Sequence, residues 1–247
     1  MRHGLVLVAA VVALPATATA GRTFYGWLYG TEVMPERGAE IQSFVSLQNG
    51  QSAAAGKDET DWWIAPSIGI NDQLELVLPV EINWTVADDQ APRTAFNDFG
   101  AELRYRFVTS DPEDKPAFVP LIRVAVERLV AGPQGAYQPE VDLVGSYDIG
   151  RTQLLVDLGG IADVGAGQPF HAEFHPGAGV SVLSMGDVRF GAEVFAEISL
   201  DNNGDGSWAA VGPNLAWSHG RTWLSAAYGI GLYHIRDAPK LNWGIAF

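Results

Sequence analysis

Residues 74–84, LELVLPVEINW, place an apolar residue at every second position. Glu75 and Glu81 fall on the positions between them. Because successive side chains of a β-strand point to opposite faces, a strand puts the apolar side chains on one face and both carboxylates on the other, whereas a helix would scatter them. The stretch therefore predicts a strand with one apolar face and one charged face.

The same period recurs along most of the chain from Ala39 onward. The clearest further cases are residues 98–107, 140–149 and 188–198, and each segment is bounded by Gly, Asn, Asp or Pro. Counting the weaker cases, alternation predicts about twelve strands. The fold class that we expect is all-β, with antiparallel strands joined in up-and-down order.

The joins between these segments differ in length in a regular way. Those after the second, sixth, eighth and tenth segments are tight, whereas residues 50–60 and 85–94 read as long polar loops. Transmembrane β-barrels have short turns at one end and longer loops at the other. Residues 109–115 are an exception, since they form a longer join where a turn is expected.

Whether the apolar face of the strands points into the barrel or out of it separates a soluble barrel from a membrane barrel. The face opposite the aliphatic side chains carries Asp, Glu, Arg or His on nearly every strand, while Trp, Tyr and Phe gather near strand ends. A soluble barrel has an apolar interior, whereas a transmembrane barrel has an apolar exterior flanked by aromatic girdles. We therefore predict a transmembrane barrel. The final LNWGIAF, ending on Phe247, resembles the C-terminal signal that the outer-membrane assembly machinery of Gram-negative bacteria reads.

The N-terminus has the pattern of a secretory signal peptide. Arg2 precedes an apolar run over residues 5–14, and small residues follow up to Ala20, after which we predict cleavage. A membrane anchor would need about 17–25 apolar residues. The predicted organisation is a signal peptide over residues 1–20, an aromatic segment over 21–36 and the barrel over 37–247. The aromatic segment fits no strand period, so we expect it either inside the lumen as a partial plug or at the periplasmic rim.

Charge and cysteine content exclude further classes of protein. Removal of Arg2 with the signal peptide leaves 14 of the 15 basic residues against 29 acidic ones, a net charge of −15. Such acidity disfavours nucleic-acid binding, which needs Lys and Arg to displace counterions from phosphates. The chain has no cysteine, which excludes a disulfide scaffold and a lipoprotein anchor.

Three glycine-rich runs resemble a known family. GINDQLELVLP over residues 69–79, NDFGAELRYRF over 97–107 and VGPNL over 211–215 are similar to outer-membrane transporters grouped with the MetA-pathway of phenol degradation. The likeness extends from about Met34 to Phe247. It implies an outer-membrane barrel that passes small solutes, hydrophobic or aromatic ones among them, and it implies no catalytic residue.

A barrel of about twelve strands lies between those of eight, whose side chains fill the interior, and those of 16–18, which enclose an aqueous channel. A narrow polar pore is expected, and its excess of acid favours cations or neutral solutes, with the arginines in ion pairs that brace the wall. The alternative is a closed structural barrel in which these charges satisfy one another. By strand parity, the expected lining is Glu75, Glu81, Asp98, Glu102, Arg104, Arg106, Arg123, Glu127, Asp142, Asp157, His171, Glu173, His175, Arg189, Glu193 and Glu197.

An outer-membrane enzyme acting on lipid is a second alternative. Its best pattern is His171, Glu173 and His175, which face the same way on one strand. The two histidine Cα atoms would be roughly 14 Å apart, too far to share a metal ion readily, and they point inward, away from lipid. We therefore expect neither an enzyme nor a cofactor.

Residues 201–206, DNNGDG, begin like a calcium-binding loop. Asp201, Asn203 and Asp205 supply oxygen atoms at the first, third and fifth positions, but the twelfth position is Gly212 rather than the required Glu. We expect a turn-rich loop, with these three residues as weak candidates for a divalent ion.

Together, these features predict a passive channel of the bacterial outer membrane. We expect a monomer with both termini in the periplasm, in contact with the lipid bilayer and lipopolysaccharide and passing a small-molecule solute.

Overall fold

The computed structural model describes residues 23–51, 56–87, 90–109, 117–131, 135–165, 170–201 and 206–247. The predicted signal peptide and its cleavage site after Ala20 lie outside these ranges. Among the described residues, no α-helix is long and apolar enough to span a bilayer. The strands are β1 (Ala39–Gln51), β2 (Lys57–Gly69), β3 (Leu74–Val77), β4 (Val80–Ala87), β5 (Gln90–Arg106), β6 (Phe118–Leu129), β7 (Tyr137–Ile149), β8 (Thr152–Asp163), β9 (His171–Met185), β10 (Val188–Ser199), β11 (Trp208–His219), β12 (Thr222–Tyr233) and β13 (Asp237–Ala246).

The strands form one closed antiparallel sheet. The first strand pairs with both β2 and β13, so that Ile41 stands opposite Pro66 on one side and Ile245 on the other. Short strands β3 and β4 lie end to end between β2 and β5 as two halves of one barrel strand, interrupted at Leu78 and Pro79. The all-β antiparallel barrel of 12 strands is thus confirmed, with one strand divided in two.

The two faces of the sheet have opposite polarity. On β5, Leu103 is 46% exposed on the outside, whereas the neighbouring Glu102 and Arg104 are 0% and 7% exposed on the inside. The same inversion runs around the barrel, where apolar side chains are exposed and polar ones are buried. An apolar exterior around a charged interior is the arrangement of a membrane barrel.

The two ends of the barrel differ. The turn end carries the start of β1, the end of β13 and two-residue joins after β7, β9 and β11. The loop end carries the joins over residues 52–56, 130–136, 164–170 and 200–207, whereas the longest join, over residues 107–117 after β5, lies at the turn end. The long loop predicted at residues 85–94 was wrong, because β4 continues to Ala87 and β5 begins at Gln90. Strand ends that extend beyond the apolar band are polar on both faces, so their composition resembles that of a loop.

The prolines show where the hydrogen bonding between strands tolerates the loss of one backbone N–H donor. Pro79 lies at the break between β3 and β4, and the carbonyl of Pro66 accepts a hydrogen bond from Leu78 N–H (3.0 Å) beside that break. Pro176 and Pro213 lie inside β9 and β11 with no shift of register beside them. Losing one N–H leaves a gap in the ladder without moving the strand.

Candidate functional site in the barrel interior

Residues 23–36, called here the lumen segment, lie inside the barrel without helix or strand. Tyr25 and Leu28 are buried at 0% and 2% exposure, and the segment contacts strands on several sides of the wall. A buried chain without secondary structure must find partners for its backbone N–H and C=O groups elsewhere. The wall supplies them.

Carboxylates of the wall accept hydrogen bonds from backbone N–H groups of the lumen segment. Three residues that the sequence places in the lumen thereby bind protein rather than line open space. The pairs are Gly26 and Trp27 N–H to Glu193 Oε1 (2.9 and 3.2 Å), Tyr29 N–H to Asp157 Oδ2 (2.9 Å) and Met34 N–H to Glu75 Oε2 (2.8 Å).

Other wall groups bind the carbonyls and side chains of the lumen segment. Asn242 Nδ2 donates to the carbonyl oxygens of Tyr25 (3.3 Å) and Gly26 (2.9 Å), and Ser225 Oγ donates to that of Tyr25 (2.9 Å). The Tyr25 hydroxyl donates to the carbonyl of Gln153 (3.0 Å). Burial raises the pKa of the Tyr25 hydroxyl well above its ordinary value, so it remains a donor at any physiological pH.

Apolar packing and two glycines of the wall also hold the lumen segment in place. Tyr25 and Leu28 pack in one cluster with inward side chains of β6, β7 and β8. A Cβ at Gly179 would lie 2.4 Å from the Tyr25 ring, and one at Gly177 would lie 2.2 Å from Leu28 Cδ2. Inward glycines on β9 therefore leave the room that these two side chains occupy, which is one reason for glycine inside a strand.

We expect Gly179→Val to displace the lumen segment, because the added atoms overlap the buried Tyr25 ring. The readout is maleimide labelling of a single cysteine introduced by Thr31→Cys, since Thr31 is 2% exposed and the chain has no native cysteine. Labelling should be at least roughly tenfold faster than without the valine, since a side chain in a native core is otherwise reached only through local opening. Gly160→Val is the matched control, because its Cβ would meet only the carbonyl oxygen of Glu173, at 3.5 Å. Equal labelling rates in the Gly179→Val and Gly160→Val variants would contradict this position of the lumen segment.

A buried guanidinium organises the carboxylates in the middle of the barrel. Arg123, 2% exposed, forms ion pairs with Glu102 (2.8 Å), Glu140 (2.6 Å) and Asp142 (2.6 Å). Its guanidinium carbon also lies 4.1 Å from the centre of the Tyr29 ring. Burial raises the pKa of the Tyr29 hydroxyl well above its ordinary value, although the nearby Arg123 opposes this. One cation is thus shared by three acids and also contacts the lumen segment.

The remaining predicted arginines lie nearer the turn end. Arg104 binds Glu102 and lies 4.0 Å from Glu75. Arg106 pairs with Glu32 of the lumen segment (3.1 Å). Arg189 donates to Ser181 Oγ (3.1 Å) and stacks over Phe24, with its guanidinium carbon 4.0 Å from the ring centre. These cations brace the wall and hold the lumen segment.

At the loop end, His171, Glu173 and His175 form one hydrogen-bonded chain. Glu173 lies 2.8 Å from His171 Nε2 and 3.1 Å from His175 Nε2, and His171 Nδ1 lies 2.7 Å from Asp201. The two histidines, predicted to lie too far apart to share a metal ion readily, are thus linked through the carboxylate between them. Asn203 and Asp205, the other two calcium candidates, lie outside the described residues.

Between the lumen segment and the loop end, the barrel encloses a cavity of about 180 Å³. We call it the acidic cavity, because eight carboxylates line it against Arg123, Lys240 and His175. Six of its carboxylates, Glu197 among them, were predicted lining residues. Asp61, Glu140 and Lys240 were missed, although strand parity places all three on the inward face. The eight are Asp61, Glu81, Asp98, Glu127, Glu140, Asp142, Asp157 and Glu197.

No protein-family model matches this chain, and no curated protein matches its sequence. Solved structures do share its fold. The COG4313 outer membrane channel from Pseudomonas putida F1 has a TM-score of 0.58 at 10% identity, covering 88% of this chain and 98% of that one. The beta domain of the Bordetella autotransporter BrkA has 0.55 at 10%, covering 86% and 100%. The KdgM porin has 0.53 at 10%, covering 84% and 99%.

These similarities show the fold of bacterial outer-membrane barrels, and they do not show the phenol-degradation grouping. OmpT, an outer membrane protein of Vibrio cholerae, also matches, with a TM-score of 0.42 that is too low to support an inference. A barrel fold shared by such different proteins does not by itself exclude catalysis. The prediction that this chain is not an enzyme is corrected accordingly and is not kept.

Proposed function

We propose that the protein is a porin-like channel of the bacterial outer membrane, through which small solutes pass passively when the lumen segment moves. The observation that carries this proposal is a closed barrel with an apolar exterior whose charged interior holds a cavity on the loop side of the lumen segment. The fold shared with the KdgM porin and the COG4313 channel supports it. The outer-membrane location is supported by the same likeness.

The way in which the lumen segment is held is consistent with movement. It has no helix or strand, and the wall binds its backbone through hydrogen bonds to carboxylates and amides. Each such bond contributes about 0.5–1.5 kcal/mol net, or about 1.5–3 when one partner is charged. Water can replace these partners once the segment leaves, so its displacement needs no change in the sheet.

The test is conductance in planar bilayers, with the folded state checked by the heat-dependent shift in electrophoretic mobility. Discrete current steps support the channel. Folded protein that produces no steps, with or without the lumen segment, would leave the closed structural barrel as the better description.

We expect the open channel to prefer cations. The acidic cavity carries eight carboxylates against two permanent cations, and a lumen lined by one sign of charge concentrates the opposite ion. In a tenfold KCl gradient, the reversal potential should have the sign for K⁺ over Cl⁻. It should shrink as salt rises, because the Debye length falls from about 10 Å at 0.1 M to about 3 Å at 1 M. A reversal potential of the sign for Cl⁻ would contradict the proposal.

We also propose a class of solute and the surroundings of the barrel. The resemblance of the three glycine-rich runs implies that hydrophobic or aromatic solutes pass through it. The apolar exterior supports contact with lipid and lipopolysaccharide, and the exposed Phe247 supports recognition by the assembly machinery. The start of β1 and the end of β13 belong to the turn end, which we assign to the periplasm.

A further inference from the structure

The acidic cavity is lined by more carboxyl groups than basic side chains. Arg123 pairs with Glu140 and Asp142 at the cavity wall, and no ion pair within 4.0 Å joins a Lys or Arg to Asp98, Glu127 or Asp157 in the part of the chain that the structure describes. Each of these three is at least nine-tenths buried. A buried carboxylate without a cation is costly unless a ligand or proton compensates it.

Glu127 is the sharpest case. Its side chain lines the acidic cavity at 9% exposure and has no hydrogen bond or ion pair to any described residue. Gly100 on the neighbouring strand makes room for it, since a Cβ there would lie 2.7 Å from Glu127 Cγ. One oxygen each of Asp98 and Asp157, Oδ1 in both, is likewise buried without a hydrogen-bond partner. Three carboxyl groups thus face one cavity, and each has at least one oxygen atom that accepts no hydrogen bond from the described residues.

Aromatic rings form another part of the same wall. Trp27, Phe44 and Trp63 line the acidic cavity, and the Phe44 and Trp63 rings stack at 5.2 Å. These rings already bind an ammonium group, because Lys240 Nζ lies 4.0 Å from the centre of Phe44 and 4.9 Å from that of Trp27. Aromatic faces attract cations, and quaternary ammonium groups are recognised in this way.

The arrangement favours an organic cation over a metal ion. Among the described residues, no three His, Asp or Glu side chains are grouped closely enough to hold a metal. The acidic cavity of about 180 Å³ has room for about a dozen waters at roughly 10–15 Å³ each, which is the space of a small organic molecule. Dispersed carboxylates and flat rings suit a diffuse, weakly hydrated charge.

We propose that the acidic cavity is a binding site for organic ammonium ions that carry an apolar or aromatic group. This deepens the proposed function by naming the class of solute, and it rests on that function only for the step of passage. The positive group lies toward Glu127 and Asp98, where acceptors are free. The apolar group lies toward Trp27 and Trp63.

The experiment measures binding of benzyltrimethylammonium to the folded, full-length mature protein in detergent by isothermal titration calorimetry. Neutral benzyl alcohol, anionic benzenesulfonate and Ca²⁺ are the comparison ligands. Glu127→Gln should weaken benzyltrimethylammonium binding about tenfold through the loss of one nearby charge. Trp63→Leu should weaken it about threefold or more through the loss of a ring that packs against the aromatic group of the ligand. Glu36→Gln is the matched control, since Glu36 is exposed on the turn side and lines no part of the acidic cavity.

The outcomes separate this inference from the channel. Saturable binding of benzyltrimethylammonium that exceeds binding of the other ligands and falls in Glu127→Gln but not in Glu36→Gln supports the site. Equal binding of the alcohol, tighter binding of Ca²⁺, or no effect of Glu127→Gln would overturn it, even if the protein conducts. Binding with the expected pattern in a protein that never conducts would keep the site and reject the channel.

Discussion

Deletion of residues 23–36 is expected to raise single-channel conductance about tenfold or more, because a barrel of twelve strands has an interior wide enough for an aqueous path only when nothing fills it. In the intact protein the lumen segment fills part of the interior, where Tyr25 and Leu28 are buried and Trp27 reaches Trp208 and Ala238 near the loop end. The measurement is current through the mature protein with and without this deletion, in the same bilayers. Circular dichroism and heat-modifiable mobility show whether the deleted form is folded.

A reversible lock provides the control for this deletion. The hydroxyls of Thr31 and Ser146 lie 2.7 Å apart, so Thr31→Cys with Ser146→Cys should form a disulfide in a chain that has no other cysteine. Oxidised channels should stay closed, and reductant should restore the wild-type opening frequency. Each single-cysteine variant should ignore reductant. Equal currents in the oxidised and reduced double variant would show that the lumen segment does not obstruct the path.

Replacement of Arg123 by Met is expected to lower the free energy of unfolding by about 3–5 kcal/mol, the usual cost of removing one partner from a buried ion pair. The loss is large because Glu102, Glu140 and Asp142 would all lose the cation that they share. Urea unfolding in lipid vesicles, followed by tryptophan fluorescence, measures the difference.

Arg128→Met is the matched control for this change. Arg128 lies on the same strand but on the outer face, where its guanidinium carbon is 6.0 Å from the Tyr137 ring centre. Its loss should cost less than about 1 kcal/mol, as for exposed cation–π pairs. If both variants unfolded at the same urea concentration, the central role of Arg123 would be refuted.

Much of the barrel could be predicted because the alternation of apolar and polar residues assigns each side chain to one face of the sheet. The pattern around Glu102 and Leu103 alone predicts which face each occupies, and the structure follows it. Closure between β1 and β13 also follows, since an apolar exterior cannot leave a sheet edge in lipid. The divided strand did not follow, because Pro79 signals a missing donor without saying whether the strand bends, bulges or breaks.

The interior was harder to predict than the wall. Parity places Glu75, Asp157 and Glu193 inside, but the same parity holds whether a carboxylate meets water or the backbone of residues 23–36. The lumen segment has no period of its own, so nothing local shows that Gly26 approaches Asn242. Inward glycines such as Gly177 and Gly179 were the available signal, since a strand that faces open water gains nothing from losing a side chain there.

The place of the lumen segment has a kinetic consequence for assembly. Its carbonyls at Tyr25 and Gly26 bind Asn242, across sequence separations of 217 and 216 residues, and Ser225 lies 200 residues from Tyr25. Contacts of such long range form late and slow folding. Residues 23–36, which precede the first strand, therefore wait for the last strands before they find these partners. Seating of the segment reports that the barrel has closed in the correct register.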